Sequence, residues 1–222
     1  MMTMSVARVV RLFGAGVVVM ATGACSTLSP ATTPNAAFYA LEGTTAATPA
    51  AGPATAPAAA RSTAPTLIVN LPHAAAGFDS PHIMYVREAH KLEYFAHSEW
   101  VDPPARMLAP LLVAAMENTA AFRAAVLTPS SAAGDLRLDT EIIRLQQEFG
   151  SPPSRVRFTL HAYLVDDKTR QVIAWREFEA VVPAASENPY GGVVAANRAV
   201  QTVLEELAAF CAKTARGWRH EQ

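Results

Sequence analysis

The residues able to do chemistry are few and scattered. His73, His82, His90, His97, His161 and His220 are the candidates for metal ligation or proton transfer. No two stand at the i,i+4 spacing of a helical zinc pair, and no HExxH is present. His82, His90 and His97 are near one another in sequence but sit among aromatic residues, and read as strand or surface histidines, so no metal is expected. Cys211 lies on an apolar helical stripe without a CxxC partner, which reads as a buried, inert thiol. Asp166 and Asp167 open the polar run to Arg170, a turn where Asp bonds its own backbone, rather than an acid/base pair. A GxSxG elbow and a phosphate-binding loop are both absent. No constellation points to an enzyme, and no cofactor is expected. The segment from Tyr85 to Trp100 is different. Tyr85, Tyr94, Phe95 and Trp100, with Val86 and Val101, exceed what a short exposed region needs. Two readings stand: core packing of two strands, or a patch that receives an acyl chain or a partner protein.

One cysteine does suggest chemistry. Residues 1–24 read as an export signal, with Arg8 and Arg11 ahead of the apolar run Leu12 to Ala21. Ten residues is half of the ~20 a helix needs to span hydrocarbon. Small residues Thr22, Gly23 and Ala24 then lead to Cys25. This ending resembles a bacterial lipobox, in which the cysteine thiol is lipidated and the chain is cut before it, although Thr22 stands where Leu is preferred. Acylation there anchors the chain to a membrane at about 0.8 kcal/mol per buried CH₂. Ser26, rather than Asp, follows the cysteine, which favours the outer membrane, facing the periplasm.

Composition narrows the rest. Of 222 residues, 51% are apolar and 17% charged, the latter below the roughly 25% of typical soluble proteins. The formal charge of −1 becomes −3 once Arg8 and Arg11 are removed, which excludes a globally basic nucleic-acid binder. Two cysteines are too few for a disulfide scaffold.

The elements that must position these residues follow from periodicity. Residues 25–37 form a tether and 38–41 a short strand. Residues 42–65 hold ten Ala, five Thr and four Pro, a linker with nothing large to bury. A domain at 66–218 is long enough for a real core. Strands are expected at Leu67–Val69, Ile83–Val86 and Leu92–Phe95, with 72–80 a loop. Asp102 is placed to cap a helix starting at the following prolines, with Met107, Leu108, Leu111, Leu112, Ala115 and Met116 on one face. From Asp135 to Phe149 the residues alternate, with a phase change past Ile142-Ile143 that predicts a bulge. Val156 to Leu164 and Val172 to Val182 form a hairpin whose outer side offers Arg155 and Arg157 to Glu177 and Glu179. Gly191-Gly192 opens a last helix carrying Val193, Ala196, Val200, Val203, Leu204, Leu207, Phe210 and Cys211 on one stripe. The fold class is α+β, a largely antiparallel sheet with two amphipathic helices packed on one face.

Several runs together resemble the ABC-type transport auxiliary lipoprotein family. They are Phe38-Tyr39-Ala40-Leu41, Gly77 to Ser80, Ile83-Met84-Tyr85, Leu92 to Ala96, Trp100, Pro103 to Leu108, Phe178-Glu179-Ala180 and Gly191 to Asn197. The resemblance covers residues 25–215 and departs from the family in the 42–65 insert. It implies a non-enzymatic outer-membrane lipoprotein that assembles with an ABC permease and ATPase and a mammalian-cell-entry-domain protein. Such systems move lipids or other hydrophobic molecules across the envelope, and the resemblance leaves a homo-oligomer open. The site residues expected are Cys25 for lipidation and Tyr85, Tyr94, Phe95 and Trp100 for partner or lipid contact. A stand-alone periplasmic lipid-binding lipoprotein is the alternative.

Overall fold

The computed structural model describes residues 35–43 and 63–218. The export signal, Cys25, most of the tether and linker residues 44–62 lie outside the described residues. From Ala36 onward the chain forms one unit, organised around its longest strand, β7 (Leu136–Glu148, 13 residues).

Alternation along β7 buries Leu136, Leu138, Thr140 and Ile142 on one face, and Leu145 and Gln147 after the phase change. The bulge is at Ile143: Ile142 pairs with Leu160, but Arg144 pairs with Thr159. An extra residue there keeps apolar side chains pointing inward on both sides of the kink. One edge of β7 is covered by β8 (Arg155–Asp166), antiparallel, and β8 in turn by β9 (Val172–Pro183). Along its other edge three short strands follow one another, all parallel to it. They are β2 (Thr66–Val69) at Leu136–Leu138, β3 (His73–Ala74) at Glu141–Ile142 and β4 (His82–Val86) at Gln146–Glu148. β4 forms an antiparallel hairpin with β5 (Leu92–Trp100). β1 (Ala37–Tyr39) adds to β5 in parallel, and β6 (Ala124–Leu127) to β2 in parallel.

The class is α+β, and the longest pairings are antiparallel, but the sheet is mixed. Its parallel pairings arise because β2, β3 and β4 run in one direction along a single long strand. β3 and β6, two and four residues long, are too short to show an alternation in sequence, and β3 falls within the stretch read as loop.

Two helices pack on this sheet in one continuous core. Helix α1 (Pro104–Glu117) buries Leu108, Leu112 and Met116, three of the residues expected on its face. Its N-cap is Pro103, with no side-chain cap. Asp102 does not cap the helix as expected; it points at Arg106 (3.5 Å), one turn on. Helix α2 (Pro189–Trp218) buries Val193, Ala196, Val200, Val203, Leu207 and Cys211 against Phe158 and Leu160 of β8 and Phe178 of β9. Asn188 starts it, accepting the Gly191 N–H on Oδ1 at 2.9 Å. The two glycines that follow permit close approach. A Cβ on Gly191 would overlap the Ser186 carbonyl, and one on Gly192 would overlap the Gln147 amide. That amide is buried and donates to Ser154 Oγ (2.9 Å), so it has little freedom to retreat.

The opposite face of β7, β8 and β9 is held by charge. Arg157 donates to both oxygens of Glu148 (2.8 and 3.2 Å) and to Glu179 (2.7 Å). Glu177 pairs instead with His161, at 2.7 Å. Burial raises the Glu148 pKa, but hydrogen bonds from Arg157 and Gln146 and the charges of Arg157 and Arg155 outweigh it, so the net shift is downward. At the far end of the hairpin Asp166 accepts the Lys168 and Thr169 N–H groups (3.0 and 2.8 Å) and Trp218 Nε1 (3.2 Å). The turn amides, Thr169 foremost, hold its pKa below the usual value.

Two predictions follow from this packing. Gly192→Ala should destabilise the protein by about 1–3 kcal/mol through overpacking. Combined with Gln147→Ala, the loss in chemical denaturation should be smaller than the sum of the two single losses; strict additivity would mean that the two residues do not compete for the space. Because the folded Glu148 pKa lies below the unfolded value, about 4.3, its contribution to stability is present above that pH. It is lost as pH falls through the folded value. Arg157→Met should flatten this acid-range loss in urea midpoints measured between pH 6 and pH 3 (roughly the carboxylate titration range). An unchanged slope would remove Arg157 as the cause.

Candidate functional site

The β4–β5 hairpin carries the four aromatic residues picked out in the sequence, but the fold distributes them over three environments. Tyr85 lies opposite Glu93 and Met84 opposite Tyr94, so alternation sends Tyr85 and Tyr94 to opposite faces. Tyr85 and Phe95 share one face, ring centroids 4.5 Å apart. Phe149, just past β7, meets both edge-on at 5.8 and 6.4 Å. Arg87 places its guanidinium 4.9 Å from the Tyr85 ring and 5.5 Å from that of Phe149. Tyr94 projects from the other face, 54% exposed, and stacks on His82 at 4.3 Å. His82 in turn lies 3.5 Å from Glu99. Trp100 belongs to neither group. The register shift between His82 and Met84 allows the end of β5 to turn Trp100 inward, and at 3% exposure it is part of the core. The patch is therefore a half-buried cluster of Tyr85, Phe95 and Phe149 and a separate, exposed Tyr94.

Sequence reasoning passed over Phe149 and a second aromatic pair, half-buried Tyr163 and exposed Trp175, stacked 6.3 Å apart. Trp175 is 62% exposed. Its signal was available, since it alternates in phase with Glu177 and Glu179 on the outward side of β9. Phe149 likewise continues the inward phase of Leu145 and Gln147.

A groove of about 550 Å³ lies between the outer flanks of α1 and α2. Leu111, Ala114 and Ala115 line it from α1, and Leu204, Ala208 and Ala212 from α2. Short side chains at helical 3/4 spacing leave the two flanks apart where larger ones would close them. Glu42 and Gly43 reach one part of the rim, with Asn118, Gln201 and Glu205 elsewhere on it. The segment after β1 is held there by α2: Asn197 accepts the Glu42 N–H (2.7 Å) and donates to the Ala40 carbonyl (3.2 Å), while Leu41 is buried. Asn197 belongs to the run Gly191 to Asn197 noted in the sequence, and this clamp gives it a physical role.

Other candidates are disposed of by geometry. Burial pushes the Cys211 thiol up to about 12, so it is not a nucleophile near neutral pH. Among the described residues no group of His, Cys, Asp and Glu is arranged to hold a metal ion. No described helix is long and apolar enough to cross a membrane. Cys25 lies outside the described residues.

Comparison with known proteins agrees with this architecture. A family model described as "ABC-type transport auxiliary lipoprotein component" matches residues 47–208. The solved structure of protein XCC0632 from Xanthomonas campestris is similar with a TM-score of 0.71 at 22% identity, over 83% of this chain and 99% of that one. A second, of an uncharacterized protein, has a TM-score of 0.58 at 12% identity, over 81% and 97%. At these identities the likeness is one of fold. No curated protein matches. With most of its length matched by the family model, the chain belongs to the ABC-type transport auxiliary lipoprotein family.

Proposed function

We propose that this protein is a non-enzymatic lipoprotein, acylated at Cys25 and held at the outer membrane facing the periplasm. There it docks or assembles a transporter made of an ABC permease, an ATPase and a mammalian-cell-entry-domain protein, which moves lipids or other hydrophobic molecules. The observation that carries this reading is the lipobox-like ending at Cys25, placed just ahead of a domain that belongs to a transport auxiliary family. The mechanism is mass action. Tethering to a membrane converts docking into a nearly two-dimensional encounter and raises the effective concentration of the docking surface; because β1 is paired with β5, the tether ahead of Ala37, and not the 42–65 segment, sets its reach. The docking surface is the outward side of the β4–β5 hairpin, with Tyr94 at its centre and the Tyr85–Phe95 cluster behind it. Exposed aromatic rings are typical interface anchors. The groove between α1 and α2 favours the second reading, a lipid-binding lipoprotein that acts alone.

The two readings separate in copurification. Tyr94→Ala, on the surface, should leave stability within about 0.5 kcal/mol while weakening recovery with the mammalian-cell-entry-domain protein. Trp100→Ala should instead cost about 3–5 kcal/mol as a core truncation, and so reports on the fold. Cys25→Ala should release the chain from the membrane fraction. Undiminished recovery of the Tyr94→Ala variant with the transport partner would remove the hairpin as the docking surface. No recovery of wild type with any such partner would favour the stand-alone reading.

A further inference from the structure

We infer that the groove between α1 and α2 receives one acyl chain of an amine-headed phospholipid, with phosphatidylethanolamine as the model. This deepens the proposed function and rests on its premise that the system handles hydrophobic molecules. Three features of the groove carry it. The lining is mainly apolar, with Leu111, Val200, Leu204 and alanines of both helices, and its volume of about 550 Å³ falls within the roughly 300–1,000 Å³ usual for small-molecule sites. Its length suits a single chain. The lining on α2 runs from Val200 to Ala212, about 18 Å at helical rise, and one leaflet of hydrocarbon is about half of ~30 Å. Its charge is one-signed. The lining holds two carboxylates, Glu42 and Glu205, and no cation. Glu205 accepts only the Gln201 amide (3.0 Å), and neither carboxylate is ion-paired with any described residue. Ethanolamine and glycerol headgroups carry the same phosphodiester, so the rim distinguishes them by what lies beyond it: a terminal ammonium is attracted to the carboxylates and an uncharged glycerol is not, and the occupant that suits both floor and rim is a chain with an amine-bearing head.

The test uses the full acylated chain in phosphatidylcholine vesicles doped with a trace of phosphatidylethanolamine or phosphatidylglycerol, each with a photoreactive acyl tail. Adducts are mapped by peptide mass spectrometry. The expected adducts fall on residues 111–119 and 200–212, with the ethanolamine lipid preferred roughly three- to tenfold, the scale of one or two exposed ion pairs. Ala209→Trp fills the groove from an exposed position, so it should abolish these adducts while leaving the melting temperature unchanged. Glu205→Gln should reduce the headgroup preference. Adducts indifferent to Ala209→Trp, or equal for the two lipids, would overturn the inference. So would a large rise in adducts on deleting residues 44–62, which would make the linker the occupant, or copy-to-copy cross-links across α1 and α2, which would make it a second protomer. Copurification with the transport partner is scored on the same samples. Its survival when the groove adducts fail would mean that the lipid inference alone has fallen.

Discussion

Strand β7 is under a constraint that shapes the whole domain. It must bury one face against both helices, pair along its full length with β8, and on its other edge serve three separate short strands in succession. A one-residue slip anywhere along it would turn the inward residues to solvent. The bulge at Ile143 is how the chain meets that demand. It allows the strand to twist between its β3 and β4 contacts and still return Leu145 and Gln147 to the interior. Gln147 then lies beneath Gly192, so the register of β7 also decides how near the start of α2 can come. Without that register the flanks of α1 and α2 would not stand as they do, nor would the β4–β5 hairpin be held at the sheet's end.

The attachment of β1 links this scaffold to the anchoring hypothesis. Any load passed on from an acylated Cys25 enters the described domain at Ala37. Three residues of parallel pairing with β5 are a weak hold alone. Burial of Leu41 and the two-way clamp of Asn197 on Ala40 and Glu42 reinforce it. The same segment brings Glu42 and Gly43 to the rim of the groove. Hairpin and groove are thus joined through β1 and β5, where the chain enters the described domain.

Much of this could be read from the sequence, for identifiable reasons. The stripe from Val193 to Cys211 and the alternation of β7, β8 and β9 are long enough to average out local exceptions, and the phase change past Ile142 marked the bulge. What could not be read depended on partners distant in sequence. His73-Ala74 becomes a strand only because Glu141-Ile142 offers it an edge. The parallel pairings arise from chain direction, which alternation does not encode. Asp102 has the residue type of an N-cap, but the backbone gives that position to Pro103. Among the aromatic residues, type alone could not separate Trp100, turned into the core after the register shift in the hairpin, from Tyr94, left in solvent. The groove was invisible because its lining comes from two helices far apart in the chain, and Ala114, Ala208 and Ala212, which leave the space between Leu111 and Leu204, draw no notice singly.

The proposed role depends on where the protein is held, and therefore on its N-terminus. The most direct measurement is mass spectrometry of the protein extracted from membranes, covering the intact chain and its N-terminal peptide. The expected chain begins at Cys25 and bears fatty acyl groups on its thiol and amine. A chain that retains residues 1–24, or one cut elsewhere with an unmodified cysteine, would contradict the proposed role.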